Sequence, residues 1–145
     1  MGTRSLTVVQ DEQGKELVNI YRQFDGYPSG AGKDLADFLT PIKLVNGISG
    51  GGRQKAGEYA NGMGCLAAQL VAHFKTEIGN FYLLPPGERD ADEEYLYTVH
   101  PIKGEIHLTV VSCAWDSKGE GTVVYIGPAS EFTAEIVEKI TSELG

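Results

Sequence analysis

Two pairs of short apolar runs, each pair folded about a turn signal, constrain this chain more than any other feature. Residues 5–10 and 17–23 flank the turn-rich Asp11-Glu12-Gln13-Gly14-Lys15, a pattern that predicts a β-hairpin. Residues 95–100 and 105–113 flank Lys103-Gly104 and predict a second hairpin. With Lys103-Gly104 as a two-residue turn, Ile102 faces Glu105 and His100 faces His107. This register groups Tyr95, Tyr97 and Val99 with Ile106, Leu108 and Val110 as the core side. It leaves His100 and His107 on the opposite, largely exposed side. Strands that cluster in hairpins, rather than alternate with helices, favour an antiparallel sheet.

Helical spacing fills the space between the hairpins. Leu35, Phe38, Leu39 and Ile42 recur at helical intervals, and this short helix stops near Thr40-Pro41. A glycine-rich flexible loop at 46–53 follows. Residues 58–78 predict the longest helix, with Tyr59, Met63, Leu66, Leu70 and Phe74 as its apolar stripe. Gly64, Ala68 and Ala72 lie on roughly the opposite side, and charge appears only at Lys75 and Glu77. A helix that is apolar or small most of the way round needs cover on more than one side. That cover is expected from a second copy, most simply in a two-fold dimer, or from one of the chain's other helices. Residues 81–84 form a strand ended by Pro85-Pro86-Gly87, and 121–126 form a further one. Ser130 is positioned to cap a final helix with Phe132, Ile136, Ile140 and Leu144 on one face. The expected fold class is α+β: a single domain over 1–145 with a mainly antiparallel sheet of about six strands. Helices are expected on one face, in the order ββ-α-α-ββββ-α.

Composition narrows the function classes. A formal net charge of −8 argues against sequence-independent binding of nucleic acid, which rests on Lys and Arg neutralising phosphates. Much of the acidity comes from loops and the C-terminal helix, notably residues 88–94, expected to be a solvated loop. The apolar runs are far shorter than the roughly 20 residues a membrane span needs, and no signal-peptide pattern opens the chain. Cys65 and Cys113 are too few for a disulfide framework. These features together predict a cytoplasmic protein.

The densest polar and aromatic cluster lies at 19–27. Alternation puts Tyr21, Gln23 and Asp25 on one side of the strand and places Arg22 with Val18 and Ile20 on the other. A guanidinium on a core-side face must be paired, to Asp25 or Asp37 for example, or must reach a ligand anion. The glycine-rich segment 26–32 departs from the phosphate-binding P-loop in spacing, and Asp34 stands where that motif needs a hydroxyl. Such a turn before a helix can still present N–H groups to an anion, or it is simply a tight turn. The leading expectation is a small anionic or nucleotide-like ligand bound by Arg22, Gln23, Asp25, Tyr27 and Lys33, with Gln69 and His73 near the wall. Arg22 and Lys33 would meet charge, Tyr27 would stack on a ring, and Gln23 would add hydrogen-bond specificity. The alternatives are a hydrolase or transferase using His73 as general base, or a protein-interaction module without a small ligand. No metal site and no cofactor is expected, since two histidines without a third ligand make a weak zinc site.

Two segments, Ile20-Tyr-Arg-Gln-Phe-Asp-Gly-Tyr-Pro-Ser-Gly30 and Ala60-Asn-Gly-Met-Gly-Cys-Leu-Ala-Ala-Gln69, resemble those of short uncharacterised proteins of bacteria and their phages. With Phe81-Tyr-Leu, the resemblance spans roughly the first two-thirds of the chain. It implies no particular chemistry. A phage link would imply the host cytoplasm and a host-takeover or counter-defence role, such as sequestering a nucleotide-derived signal.

Overall fold

The computed structural model describes residues 2–47, 55–113 and 121–144. Six strands form one sheet in the order β5-β2-β1-β6-β7-β8. They are β1 (Ser5–Gln10), β2 (Glu16–Arg22), β5 (Phe81–Leu84), β6 (Tyr95–Ile102), β7 (Glu105–Ser112) and β8 (Thr122–Pro128). Both hairpins form as expected, and the second has the expected register, with Ile102 opposite Glu105 and His100 opposite His107. Lys103 and Gly104 both have positive φ, 51° and 79°, the backbone that matches a tight turn to the twist of its strands. The chain is α+β with a mostly antiparallel sheet. Its one parallel pairing joins the hairpins, β1 against β6.

The helices are α1 (Lys33–Leu39), α2 (Gly62–Phe74) and α3 (Ala134–Leu144). Their buried residues, such as Leu35, Leu39, Leu66, Leu70, Val137 and Ile140, share a cluster with Val9, Ile20, Tyr97, Val99, Leu108 and Val110. Gly32, just before α1, lies where a Cβ would sit 2.9 Å from the Phe132 ring and 3.2 Å from Tyr97. Only a glycine permits that approach.

Three expectations about the helices need correction: where the long one starts, where it ends and what caps the last. The long helix does not begin at 58: Tyr59–Asn61 is a short strand, β4, paired in parallel with β3 (Lys43–Val45). Gly62 follows with φ 81°, a left-handed turn that lets the chain enter α2 directly from a strand. The helix ends at Phe74, where the Lys75 side chain bonds to carbonyls ahead of it. Ser130 is not the cap of α3. It sits in a 3₁₀ turn, Ala129–Glu131, and α3 starts four residues beyond it. Phe132 and Ile140 are buried and Ile136 partly so, as expected, while the Leu144 side chain lies outside the described residues. Part of the 46–53 loop also lies outside them. Gly64, Ala68 and Ala72 are exposed, covered by neither α1 nor α3.

The acidic stretch 85–94 is more than a solvated loop. It carries the chain from edge strand β5 to central strand β6, and it is pinned to β2 on the way. Asn19, fully buried, donates through Nδ2 to Pro85 O at 3.1 Å and Glu88 O at 2.8 Å. Glu16 accepts from the Gly87 amide and pairs with Arg89 at 2.6 Å. Burial alone would raise the Glu16 pKa; the hydrogen bonds from Arg89 and Gly87, with the Arg89 charge, outweigh it and hold it below its ordinary value. Register places Leu6 and Val8 on the Asn19 side of the sheet, and both are buried there.

His100 and His107 face each other as expected, with ring centroids 6.1 Å apart, but their side is not largely exposed. β8 flanks β7, and the His107 side chain keeps only 15% of its exposure. His100 Nε2 lies 2.9 Å from Thr109 Oγ1. Burial, and then the neighbouring His107, push the His100 pKa down. The unfolded chain therefore binds a proton at His100 more readily than the folded one, so this residue is expected to leave stability unaffected above about pH 6.5 and to lower it below. The expected result is that His100→Thr flattens this acid-side decline in urea titrations across pH 5 to 7. A decline unchanged in the variant would remove His100 from the account.

Candidate functional site

The predicted cluster is present as residues but not as a pocket. Arg22 lies on the Ile20 side of β2 as expected, and its side chain is 11% exposed. Its Nε donates to Phe24 O at 2.7 Å, and an Nη pairs with Asp34 at 3.1 Å. The guanidinium also stands 5.2 Å from the centre of the Phe81 ring. The partner is thus neither Asp25 nor Asp37. Lys33 pairs with Asp37 at 3.1 Å, one turn along α1. The Tyr27 hydroxyl donates to Asp25 Oδ1 at 3.1 Å, and this hydrogen bond, then the Asp25 charge, raises the phenol pKa. Asp25 itself holds a φ of 59° and accepts the Ala31 amide through its carbonyl. Gln23 contributes its backbone N–H to Asn80 O.

Gln69 and His73 are likewise engaged. Gln69 donates to Tyr59 O at 2.8 Å and accepts from the Gly57 amide at 2.7 Å, tying β4 and the chain before it to α2. His73 stacks on Phe38 at 4.5 Å and meets Phe74 edge-on. No side-chain hydrogen bond joins His73 to another described residue, so no described residue orients it as a base. Arg22 and Lys33 line different cavities. The one beside Arg22 measures about 10 Å³, room for a single water at most. Among the described residues, no three His, Cys, Asp or Glu side chains are grouped to hold a metal ion.

A different feature carries the geometry of a binding site. Beyond α2 the chain doubles back at Lys75 and returns as β5, an edge strand. Lys75 fixes this return: its ammonium donates to Ile78 O, Gly79 O and Phe81 O at 3.0, 3.2 and 2.8 Å, and it lies 5.2 Å from the Tyr82 ring centre. The return leaves a groove of about 360 Å³ between the helix and the strand. Val71 and Phe74 form its helix wall. Ile20, Phe81 and Leu83 form its floor, with Tyr82 at the rim. Register puts Ile20 beside Leu83 and Arg22 beside Phe81, all on one side of the sheet. Among the described residues, Lys75 is the only charged one lining the groove, and its ammonium already donates three hydrogen bonds. Leu83 is 62% exposed and Tyr82 45% exposed. At its inner end the groove adjoins the small Arg22 cavity through their shared Ile20, Phe74 and Phe81.

The sequence reading passed over this groove. The run at 81–84 reads in sequence only as a strand ended by Pro85-Pro86-Gly87, and its place at the edge of the sheet follows from strand order. Comparison with known protein families, with curated proteins and with solved structures returns no match.

Proposed function

We propose that this protein binds a small, largely apolar ligand in the groove between α2 and β5. The supporting observation is the groove itself: 360 Å³, apolar on both walls, open at a sheet edge, with its single cation already satisfied. Ligand sites have this character, since apolar walls supply the affinity and a few polar groups set orientation. Each methylene moved from water into such a groove contributes about 0.8 kcal/mol. A nucleotide-like anion fits less well, because at Arg22 it would have to displace Asp34 and enter a space of about 10 Å³. An enzyme reading finds no oriented base in His73.

The test uses anilinonaphthalene sulfonate, a fluorescent molecule with apolar rings. It is expected to bind the native protein saturably and to raise its melting temperature. Val71→Glu, which puts a carboxylate on the helix wall, should abolish both effects and leave the circular dichroism unchanged. Lys33→Ala should alter neither. Undiminished binding by the folded Val71→Glu variant would mean that the groove is not the site.

A further inference from the structure

We infer that the groove is completed by a second copy of this chain, which docks on the unpaired edge of β5 about a two-fold axis at Leu83. The inference rests on the groove being the binding site. Its starting point is the hydrogen-bond inventory of the edge. Gln23 N–H donates to Asn80 O, and this phase of the antiparallel ladder turns the backbone groups of Tyr82 and Leu84 toward β2. Those of Phe81 and Leu83 point outward. The outward groups of Phe81 are already used, its N–H by Gly79 O and its C=O by Lys75. Pro85, two residues beyond Leu83, has no N–H, and its carbonyl accepts from Asn19. Among the described residues nothing pairs with the outward N–H and C=O of Leu83.

An ordinary extended peptide is a poor match for this edge. It would bring a full row of donors and acceptors and leave all but one residue's worth unpaired. Another β5 brings the same reduced inventory. With Leu83 opposite the partner's Leu83, each N–H meets the other's C=O, and the two strands part beyond that pair, where the Lys75 ammonium and Gly79 O already occupy the outward side of Phe81. This is a self-complementary register, the property a two-fold interface requires. Charge points the same way. The chain carries a net charge of −8, so two copies repel over most of their surfaces. From Tyr59 to Gly87, however, the only charged side chains are Lys75 and Glu77. Two copies meeting there bring one carboxylate each from this stretch, Glu77, six residues from the axis at Leu83.

Pairing also closes the site. Leu83 side chains of a directly hydrogen-bonded pair lie on the same side of the sheet, here the groove side. The two grooves then become one trough, with a floor of β2, β5 and their counterparts spanning three strand spacings, about 14 Å. The two α2 helices form its walls. The half-exposed Leu83 becomes the middle of that floor.

The experiment reads mass, amide exchange and probe binding on the same samples. Light scattering should give a dimer mass for the wild type at high micromolar concentration. Leu83→Lys, which sets two ammonium groups against each other at the axis, should give a folded monomer. The wild-type Leu83 amide, open to solvent in one copy alone, should gain protection from exchange as concentration rises. That measurement requires no variant, so a Leu83→Lys protein that fails to fold leaves the test intact. A wild type that stays monomeric, or a dimer whose Leu83 amide exchanges freely, overturns the pairing. If such a monomer still binds anilinonaphthalene sulfonate in a Val71-dependent way, the groove reading stands without the second copy. A dimer with protected Leu83 that binds no probe keeps the pairing and removes the ligand.

Discussion

Asn19→Asp is expected to destabilise the protein by more than about 4 kcal/mol at neutral pH, the largest effect of any single isosteric change we can name. Asn19 has no exposure, and both of its N–H donors are committed to carbonyls of the 85–94 stretch. Its Oδ1 has no hydrogen-bond partner among the described residues. A carboxylate in the same place would face Pro85 O and Glu88 O with no donor and no solvent, the condition under which a buried charge is most unfavourable. Asn19→Ala leaves two carbonyls unpaired but buries no charge, and should cost about 2–3 kcal/mol. The new carboxyl would have its pKa raised by burial, so the folded variant would bind its proton more tightly than the unfolded chain. Its deficit should therefore shrink as pH falls toward about 4. Urea titrations of both variants at neutral and acid pH check this. An Asn19→Ala variant as stable as the wild type would show that the loop is not pinned through Asn19.

The second large effect is at Arg22. The alanine variant should lose about 2–3 kcal/mol in the absence of any ligand, a fall in melting temperature of roughly 5–10 °C for a chain of this size. Three contacts account for this: the hydrogen bond to Phe24 O, the ion pair with Asp34 and the guanidinium against Phe81. The estimate lies below that for a fully buried pair because the Asp34 side chain is half exposed. If Arg22 instead served an anionic ligand, its removal would leave the unliganded protein as stable as the wild type. Differential scanning calorimetry of the two proteins separates these outcomes.

Local chemistry was legible in the sequence, and long-range assembly was not. The turn at Lys103-Gly104 set the β6–β7 register, because a tight turn with alternating side chains on both sides admits one pairing. Arg22 was legible as a core-side cation in need of a partner. The partner itself was missed, because the choice of Asp34 depends on how α1 sits beside β2. The parallel β1–β6 pairing, the route of 85–94 over Asn19 and the edge position of β5 all follow from strand order, which no local pattern encodes. The start of α2 was misplaced because Tyr59 continues the helical stripe in sequence, while in space Tyr59–Asn61 pairs with Lys43–Val45. The candidate site moved for the same reason. Residues 19–33 look functional as a string, but Asn19, Arg22, Tyr27 and Lys33 are engaged by partners within the segment and by Asp34, Asp37, Pro85 and Glu88 beyond it, and the groove arises between two elements that look unremarkable separately.

The most direct test of the groove as the binding site is a map of amide NMR shifts as anilinonaphthalene sulfonate is titrated into the wild-type protein. The account predicts that the saturable shifts centre on Ile20, Val71, Phe74 and Phe81 to Leu83, with Tyr27, Lys33 and His100 unmoved. Shifts centred on Tyr27 and Lys33, or spread evenly over the chain, would contradict it.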